Sequence, residues 1–349
     1  MTAPRILFLA NAGADVGGGH VMRCLTLARA LEAGGAECAF VDSPSAAPIL
    51  SRYGSLDHTL LAMARTDDLR GLIKAASDFS KVFKPGVIVV DHYGADASHE
   101  KDLAAASGAL IAVIDDLANR PHAAALLVDP GYGRRVADYG ALVPETCLRL
   151  AGPQYALLRP EFAAARPRSL SRRAKHGPVQ RALVSMGLTD VGAITQRVTR
   201  AVLPLLGEAR LDVVIGAAAP SLEDLTALAL RDRRIRLHIE TAEMFALAAD
   251  ADLAVGAGGS STWERACVGL PTISVVLADN QAEMAAKMAD AGAHLTLDAR
   301  AAGFEAALAQ AWRSMIDAPQ VRMALSERSA ALCDGRGAAR VADAILSLT

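Results

Sequence analysis

Apolar residues along this chain gather in short runs separated by mixed stretches, and the runs recur at intervals with room for a helix between them. In the first half, strands are expected at 5–11, 37–42, 87–91, 109–115 and 126–129, with helices at 20–33, 67–81 and 98–106. Residues 152–162, GPQYALLRPEF, show no clear period and contain two prolines. Residues 163–180 are rich in Arg, Ser, Lys and Pro and poor in large apolar side chains. They read as a linker, with the charge run 166–175 solvated. A second series follows, with strands at 181–186, 211–215, 235–239, 253–256, 272–276 and 294–297. Its helices are expected at 192–206, 221–230, 243–249, 262–268, 280–291, 302–315 and 320–333. Such alternation argues for parallel sheets covered on both faces by helices. The expected fold is therefore α/β: two doubly wound Rossmann-type domains, 1–162 and 181–349, facing a cleft. A last helical stretch, 337–348, is free by its pattern to pack back on the first domain.

Composition narrows the class without changing this plan. A length of 349 residues suits two domains, and 52 % apolar residues suffice for their cores. A net charge of −2 gives no sign of a nucleic-acid or membrane-surface partner. Apolar runs such as 87–90 and 273–278, the latter broken only by Ser274, are strand-length and far short of a membrane span. Five dispersed cysteines without a CxxC, and a start that lacks a signal peptide's basic and apolar regions, lead to the expectation of a reduced, cytoplasmic protein. The eight histidines form no HExxH or Cys/His cluster, so neither a metal site nor a cofactor is expected.

Two stretches carry candidate chemistry. The first is NAGADVGGGHVMR at 11–23, a glycine-rich turn between the first strand and the first helix. Free backbone N–H groups and the helix dipole face an anion at such a place. The spacing fits neither the dinucleotide nor the Walker fingerprint, and no lysine follows the glycines. His20 follows them instead, where the dipole disfavours an imidazolium and leaves the ring able to accept a proton. The plain alternative is a glycine loop with a histidine as helix capper. Two later strands end in acids, DHY at 91–93 and DD at 115–116, beside the His20 loop by the rule for open α/β sheets. Either Asp91 or Asp115 has the position to orient the histidine; singly, each also reads as a cap or turn residue. The second stretch, GAGGSSTWE at 256–264, follows a strand and suits a diphosphate, with serine hydroxyls beside the glycines. Glu264 is placed to accept from a ribose diol, and Asn280 and Gln281 follow the next strand. An ordinary serine-capped strand–turn–helix is the alternative. The Asp-Xaa-Asp at 250–252 precedes a strand, at the wrong end for a metal–diphosphate site.

GGGHVMRCLTLA, DHY, GPQYALLRPEF and GAGGSSTWE…GLP…LADNQ, in that order, resemble the PseG nucleotide-sugar hydrolases of the pseudaminic acid pathway. That family resembles in turn the GT-B glycosyltransferases, such as the MurG enzyme of lipid II synthesis. The resemblance implies hydrolysis of UDP-2,4-diacetamido-2,4,6-trideoxy-β-L-altropyranose to UDP and free sugar, without metal. It implies His20 as the catalytic residue and Arg159, Glu264 and Asn280 as substrate-binding positions. The candidate binding set is then Gly18, Gly19, Arg23, Asp91, Tyr93 and Asp115; Tyr155 and Arg159; Met186 and Gly187; and Gly258, Gly259, Ser260, Ser261, Glu264, Asn280 and Gln281. Gly187–Leu188 stands where the family usually has two glycines, so a bulkier residue faces the phosphate position. A UDP-sugar is the expected partner and a monomer the expected state. UDP is a good leaving group, so departure needs stabilised anionic charge, and a base must activate water. An inverting glycosidase would use two carboxylates; here a histidine replaces the base and the nucleotide removes the need for the acid. Two other functions fit the same motifs: a GT-B glycosyltransferase using a UDP-sugar donor, and a non-catalytic nucleotide-sugar binding module.

Overall fold

The computed structural model describes the chain apart from residues 1–2, 14–16, 55–59 and 176. Part of the first glycine-rich stretch and one residue of the expected linker thus lie outside the described residues. The chain divides into two compact units, Met1–Leu158 with Arg336–Thr349, and Arg159–Gly335.

Among the described residues, unit 1 holds seven strands: β1 (Arg5–Ala10), β2 (Glu37–Asp42), β3 (Leu60–Met63), β4 (Val87–Asp91), β5 (Leu110–Ile114), β6 (Leu126–Asp129) and β7 (Leu148–Ala151). They form one sheet in the order β3-β2-β1-β4-β5-β6-β7 with every described pairing parallel. Parallel strands buried on both faces need apolar residues at successive positions, and Ile6–Leu9 and Val87–Val90 are fully or almost fully buried. Helix Gly19–Ala33 covers one face with helix Gly337–Leu346, whose Val341 and Ile345 share a core with Leu27 and Leu31. The C-terminal helix therefore belongs to unit 1. Helices Leu69–Phe83 and Ala97–Ser107 stand on the other face.

Unit 2 repeats the plan with β8 (Arg181–Ser185), β9 (Arg210–Ile215), β10 (Ile235–Ile239), β11 (Leu253–Ala257), β12 (Thr272–Val276) and β13 (Leu295–Asp298), in the order β10-β9-β8-β11-β12-β13. Its described pairings are also parallel. In both sheets the order reverses beside the first strand, between β1 and β4 and between β8 and β11. Ligands bind at such reversals, outside the carboxyl ends of the strands.

One expectation fails here. Most of 163–180, read as a solvated linker, lies in helix Pro160–Arg173 and packs within unit 2. Its arginines meet carbonyls left without partners at the ends of neighbouring helices. Arg166 Nη2 donates to Ala330 O at 2.8 Å, and its Nη1 donates to Cys267 O and Cys333 O. Arg173 donates to Gly269 O and Ala248 O, and buried Ser169 donates to Val268 O at 2.7 Å. Guanidinium groups on helix C-termini also meet a favourable dipole. Asp250 and Asp252, at the other end of β11, pair with Arg168 and Arg172.

Candidate functional site

In unit 1 the site follows from strand register. Ala10 lies opposite Asp91 across the β1–β4 ladder, and Asn11 N donates to Asp91 O at 2.8 Å. The chain leaving β1 therefore turns directly over the end of β4. Gly17 takes a φ of +70°, open to glycine at little cost, and its N–H donates to Gly13 O. Gly18 occupies the N-cap, where a side chain would meet Ile49 Cδ1 at 2.7 Å. Gly19 and His20 begin the helix, and positions 20, 23 and 24 share the face turned toward Asp91.

His20 Nδ1 lies 2.5 Å from Asp91 Oδ1, with both side chains buried. Arg23 grips the same carboxylate with Nε and Nη2, each at 2.6 Å, and reaches Asp116 with Nη1 at 2.9 Å. Burial pushes the Asp91 carboxyl up, but Arg23 and His20 outweigh it and hold the group well below the usual carboxylate range. An ionised carboxylate can only accept, so Nδ1 carries the hydrogen in this contact, an arrangement that in a neutral ring makes Nε2 the acceptor. The Tyr93 ring meets the imidazole edge-on, with centroids 4.6 Å apart. His20 is thus a side chain fixed on Asp91 and is not a capper. Arg23 is committed to two carboxylates.

Asp115 lies elsewhere in the polar layer. It accepts from Arg120 Nη1 at 2.7 Å, Ala118 N at 2.8 Å and Tyr139 Oη at 2.8 Å. It secures the loop after β5 and makes no bond to His20. Buried His122 and Glu100 join that layer through a 2.6 Å contact. Tyr139 also bonds Asp129, whose carboxyl burial pushes up to about 6. Tyr155 packs against the core that holds Val341.

In unit 2, the turns after β8 and β11 come together at the second reversal. Met186 is a buried core side chain, whereas Gly187 (φ +97°) is exposed, with open space where a Cβ would point. Leu188 is half-buried, and its carbonyl sits 2.1 Å from where a Cβ on residue 216 would be, which glycine at 216 makes possible. Gly258 and Gly259 pass beside Gln281, whose Oε1 accepts from Leu277 N at 3.0 Å. Gln281 therefore braces the loop after β12, while Asn280 is exposed next to it. Ser260 is the N-cap of helix Ser261–Cys267 and lies at the surface. Glu264 is half-buried; burial raises its carboxyl above the usual range, against the pull of Arg159 and Arg265. Arg159 stands at the start of its helix, donates to Ala242 O at 2.8 Å and lies over the Phe162 ring.

Arg265 escaped the sequence reading. It is completely buried beneath the glycine–serine turn, and burial lowers its guanidinium to about 10. The available signal was its place four residues after Ser261, on the same helical face. Among the described residues, no group of three or more His, Cys, Asp or Glu side chains could hold a metal ion. No helix among them is long and apolar enough to cross a membrane.

No family model matches the chain. The spore coat polysaccharide biosynthesis protein SpsG of Bacillus subtilis is 29% identical over 54% of this chain and 56% of its own length. The chain thus spans little more than half of that relative. The UDP-2,4-diacetamido-2,4,6-trideoxy-beta-L-altropyranose hydrolase of Campylobacter jejuni is 24% identical over 68% of this chain and 78% of its own. Among solved structures, MurG of Acinetobacter baumannii matches with a TM-score of 0.70 at 15% identity, covering 99% of this chain and all of that one. With two α/β units, each built on a parallel sheet whose order reverses beside its first strand, the chain has the GT-B fold.

Proposed function

We propose that this protein hydrolyses a UDP-linked 2,4-diacetamido-2,4,6-trideoxy sugar at its anomeric carbon, releasing UDP and the free sugar. The observation that carries the reading is the buried His20–Asp91 contact at 2.5 Å. It commits Nδ1 as donor and leaves Nε2 as the proton acceptor that attack by water requires. The hydrolase name of the Campylobacter relative supports the same chemistry and sugar class. Asp91 and Arg23 act as positioning residues, holding the ring in one orientation. Tyr93 limits its rotation from the side.

Binding of UDP falls to unit 2. Backbone N–H groups of Gly259–Ser261 and the Ser260 and Ser261 hydroxyls carry the diphosphate, and Gly187 allows close approach of the backbone. Glu264 accepts from the ribose hydroxyls and Arg159 adds positive charge. Departure of UDP then needs no acid, because charge developing on the leaving oxygen meets preorganised donors.

Removal of the Glu264 carboxylate should cost about 1.5–3 kcal/mol, the range for a hydrogen bond to a charged group. Glu264→Ala is therefore expected to weaken UDP binding in calorimetry by roughly tenfold to a hundredfold, with an unchanged melting curve. Unaltered affinity in a folded variant would put the ribose elsewhere.

Glycosyl transfer from a UDP-sugar donor is a second reading, favoured by the fold shared with MurG. Turnover in ¹⁸O-water separates the two. Hydrolysis places one labelled oxygen at C1 of the free sugar and none in UDP. If UDP release from a panel of UDP-diacetamido sugars requires an added acceptor, transfer replaces hydrolysis.

A further inference from the structure

We infer that Arg265 is a positioning residue that fixes the Ser261 hydroxyl as a donor and sets a buried positive charge beneath a nucleoside diphosphate. The inference rests on the reading that the Gly258–Ser261 turn takes UDP, and it assigns the selectivity of that turn for the phosphate part.

The guanidinium clamps both ends of the turn. Nη2 donates to the carbonyl of Ala257, the last residue of β11, at 2.7 Å, and to Thr262 Oγ1 at 3.3 Å. Nη1 donates to Ser261 Oγ at 2.9 Å. Arginine donates and never accepts, so the Ser261 oxygen spends a lone pair on it and must direct its own hydrogen elsewhere. Ser261 is half-exposed, and that hydrogen is available to a ligand that only accepts, such as a phosphate oxygen.

The charge is equally distinctive. Fully buried arginines are normally paired with a carboxylate. Among the described residues no carboxylate forms an ion pair with Arg265, and its buried Nε has no hydrogen-bond partner. Glu264 is next in the chain and acts on it only through space. Nearby His294 offers no compensation; burial, reinforced by Arg265, pushes its pKa down to about 3. Strand β11 is shaped for the guanidinium as well: a Cβ at Gly256 would lie 2.5 Å from Arg265 Cζ. This cation is accommodated by the fold yet, among the described residues, paired with no carboxylate, and a bound diphosphate supplies the missing partner.

The test compares UDP with uridine, since a defect of general packing weakens both together. Calorimetry on the full chain should show Arg265→Gln losing UDP affinity by roughly tenfold to a hundredfold while uridine affinity, measured by competition, stays within about threefold. Ser261→Ala, at a half-exposed position, should show the same selectivity with a smaller loss. The double variant should bind UDP no worse than Arg265→Gln, because the two groups act through one contact. Equal losses for UDP and uridine, or wild-type UDP affinity in Ser261→Ala, would overturn the inference. The second outcome decides the matter even if Arg265→Gln does not fold. A wild-type chain that binds UDP while both variants bind it equally well removes only the role of Arg265. A wild-type chain that binds no UDP removes the nucleotide reading and this inference together.

Discussion

His20→Asn is expected to lower kcat by about 10²–10⁴-fold, the contribution of a positioned general base, with KM nearly unchanged. The substitution keeps a polar group facing Asp91 but removes the ring nitrogen proposed to accept the proton from water. Helix Gly19–Ala33 should persist, because its N-cap is Gly18 and uses no side chain. UDP affinity should also persist, since the residues proposed to hold UDP lie in unit 2. The decisive measurement is the rate of UDP release from the accepted UDP-sugar, alongside a melting curve. A purely architectural histidine would give the reverse pattern, a lowered melting temperature with turnover near wild type. A folded His20→Asn variant that keeps most of its kcat would end the mechanism and leave the first glycine turn as a structural element.

Asp91→Asn should damage both stability and turnover. Removing one partner of a buried ion pair costs about 3–5 kcal/mol because the other charge is left uncompensated. Here the lower end is expected, since Arg23 keeps Asp116 at 2.9 Å. A loss of about 3 kcal/mol corresponds to a fall in melting temperature of roughly 6–12 °C for a unit of this size. The pH dependence has a definite sign. The Asp91 carboxyl lies below its ordinary value of 3.8 in the folded chain. Its contribution is therefore fully present above that value and is lost as pH falls toward the folded-state value. The variant should lose that part of the acid transition. Turnover should fall because the amide no longer enforces hydrogen on Nδ1 of His20. If the two residues act as a unit, His20→Asn combined with Asp91→Asn should be no slower than the slower single variant. Multiplying rate losses would show that Asp91 acts independently of His20.

Both predictions depend on a choice that the chain in one dimension left open. Asp91 and Asp115 each end an apolar run and are equivalent as patterns. The sheet order separates them, because β4 is the neighbour of β1 and β5 is one strand further away. The turn after β1 therefore passes over Asp91, while Asp115 meets Arg120 and Tyr139. Arg23 followed the same course. Its spacing from His20 was visible, but only its neighbours show both carboxylates occupying a guanidinium that had stood in the candidate substrate-binding set.

What the sequence by itself determined was the strand–helix alternation and most element boundaries. Strands buried on both faces need unbroken apolar runs such as Val87–Val90, and those runs are local properties. The glycine turn before His20 was legible for the same reason, since the positive φ of Gly17 and the close approach at Gly18 depend on residue type. The two edge strands of the first sheet, Leu60–Met63 and Leu148–Ala151, were not legible, because a strand at an edge needs no unbroken apolar run of its own. The tertiary structure alone decided the fate of charge. Helix Pro160–Arg173 looked solvated because arginine is usually exposed, yet its guanidinium groups end on carbonyls contributed by distant segments. Arg265 is buried for a related reason, surrounded by Ala257, Ser261 and Thr262, with room made by Gly256. A buried cation is stable only where the assembled fold supplies its acceptors, and that supply has no signature in any single stretch of chain.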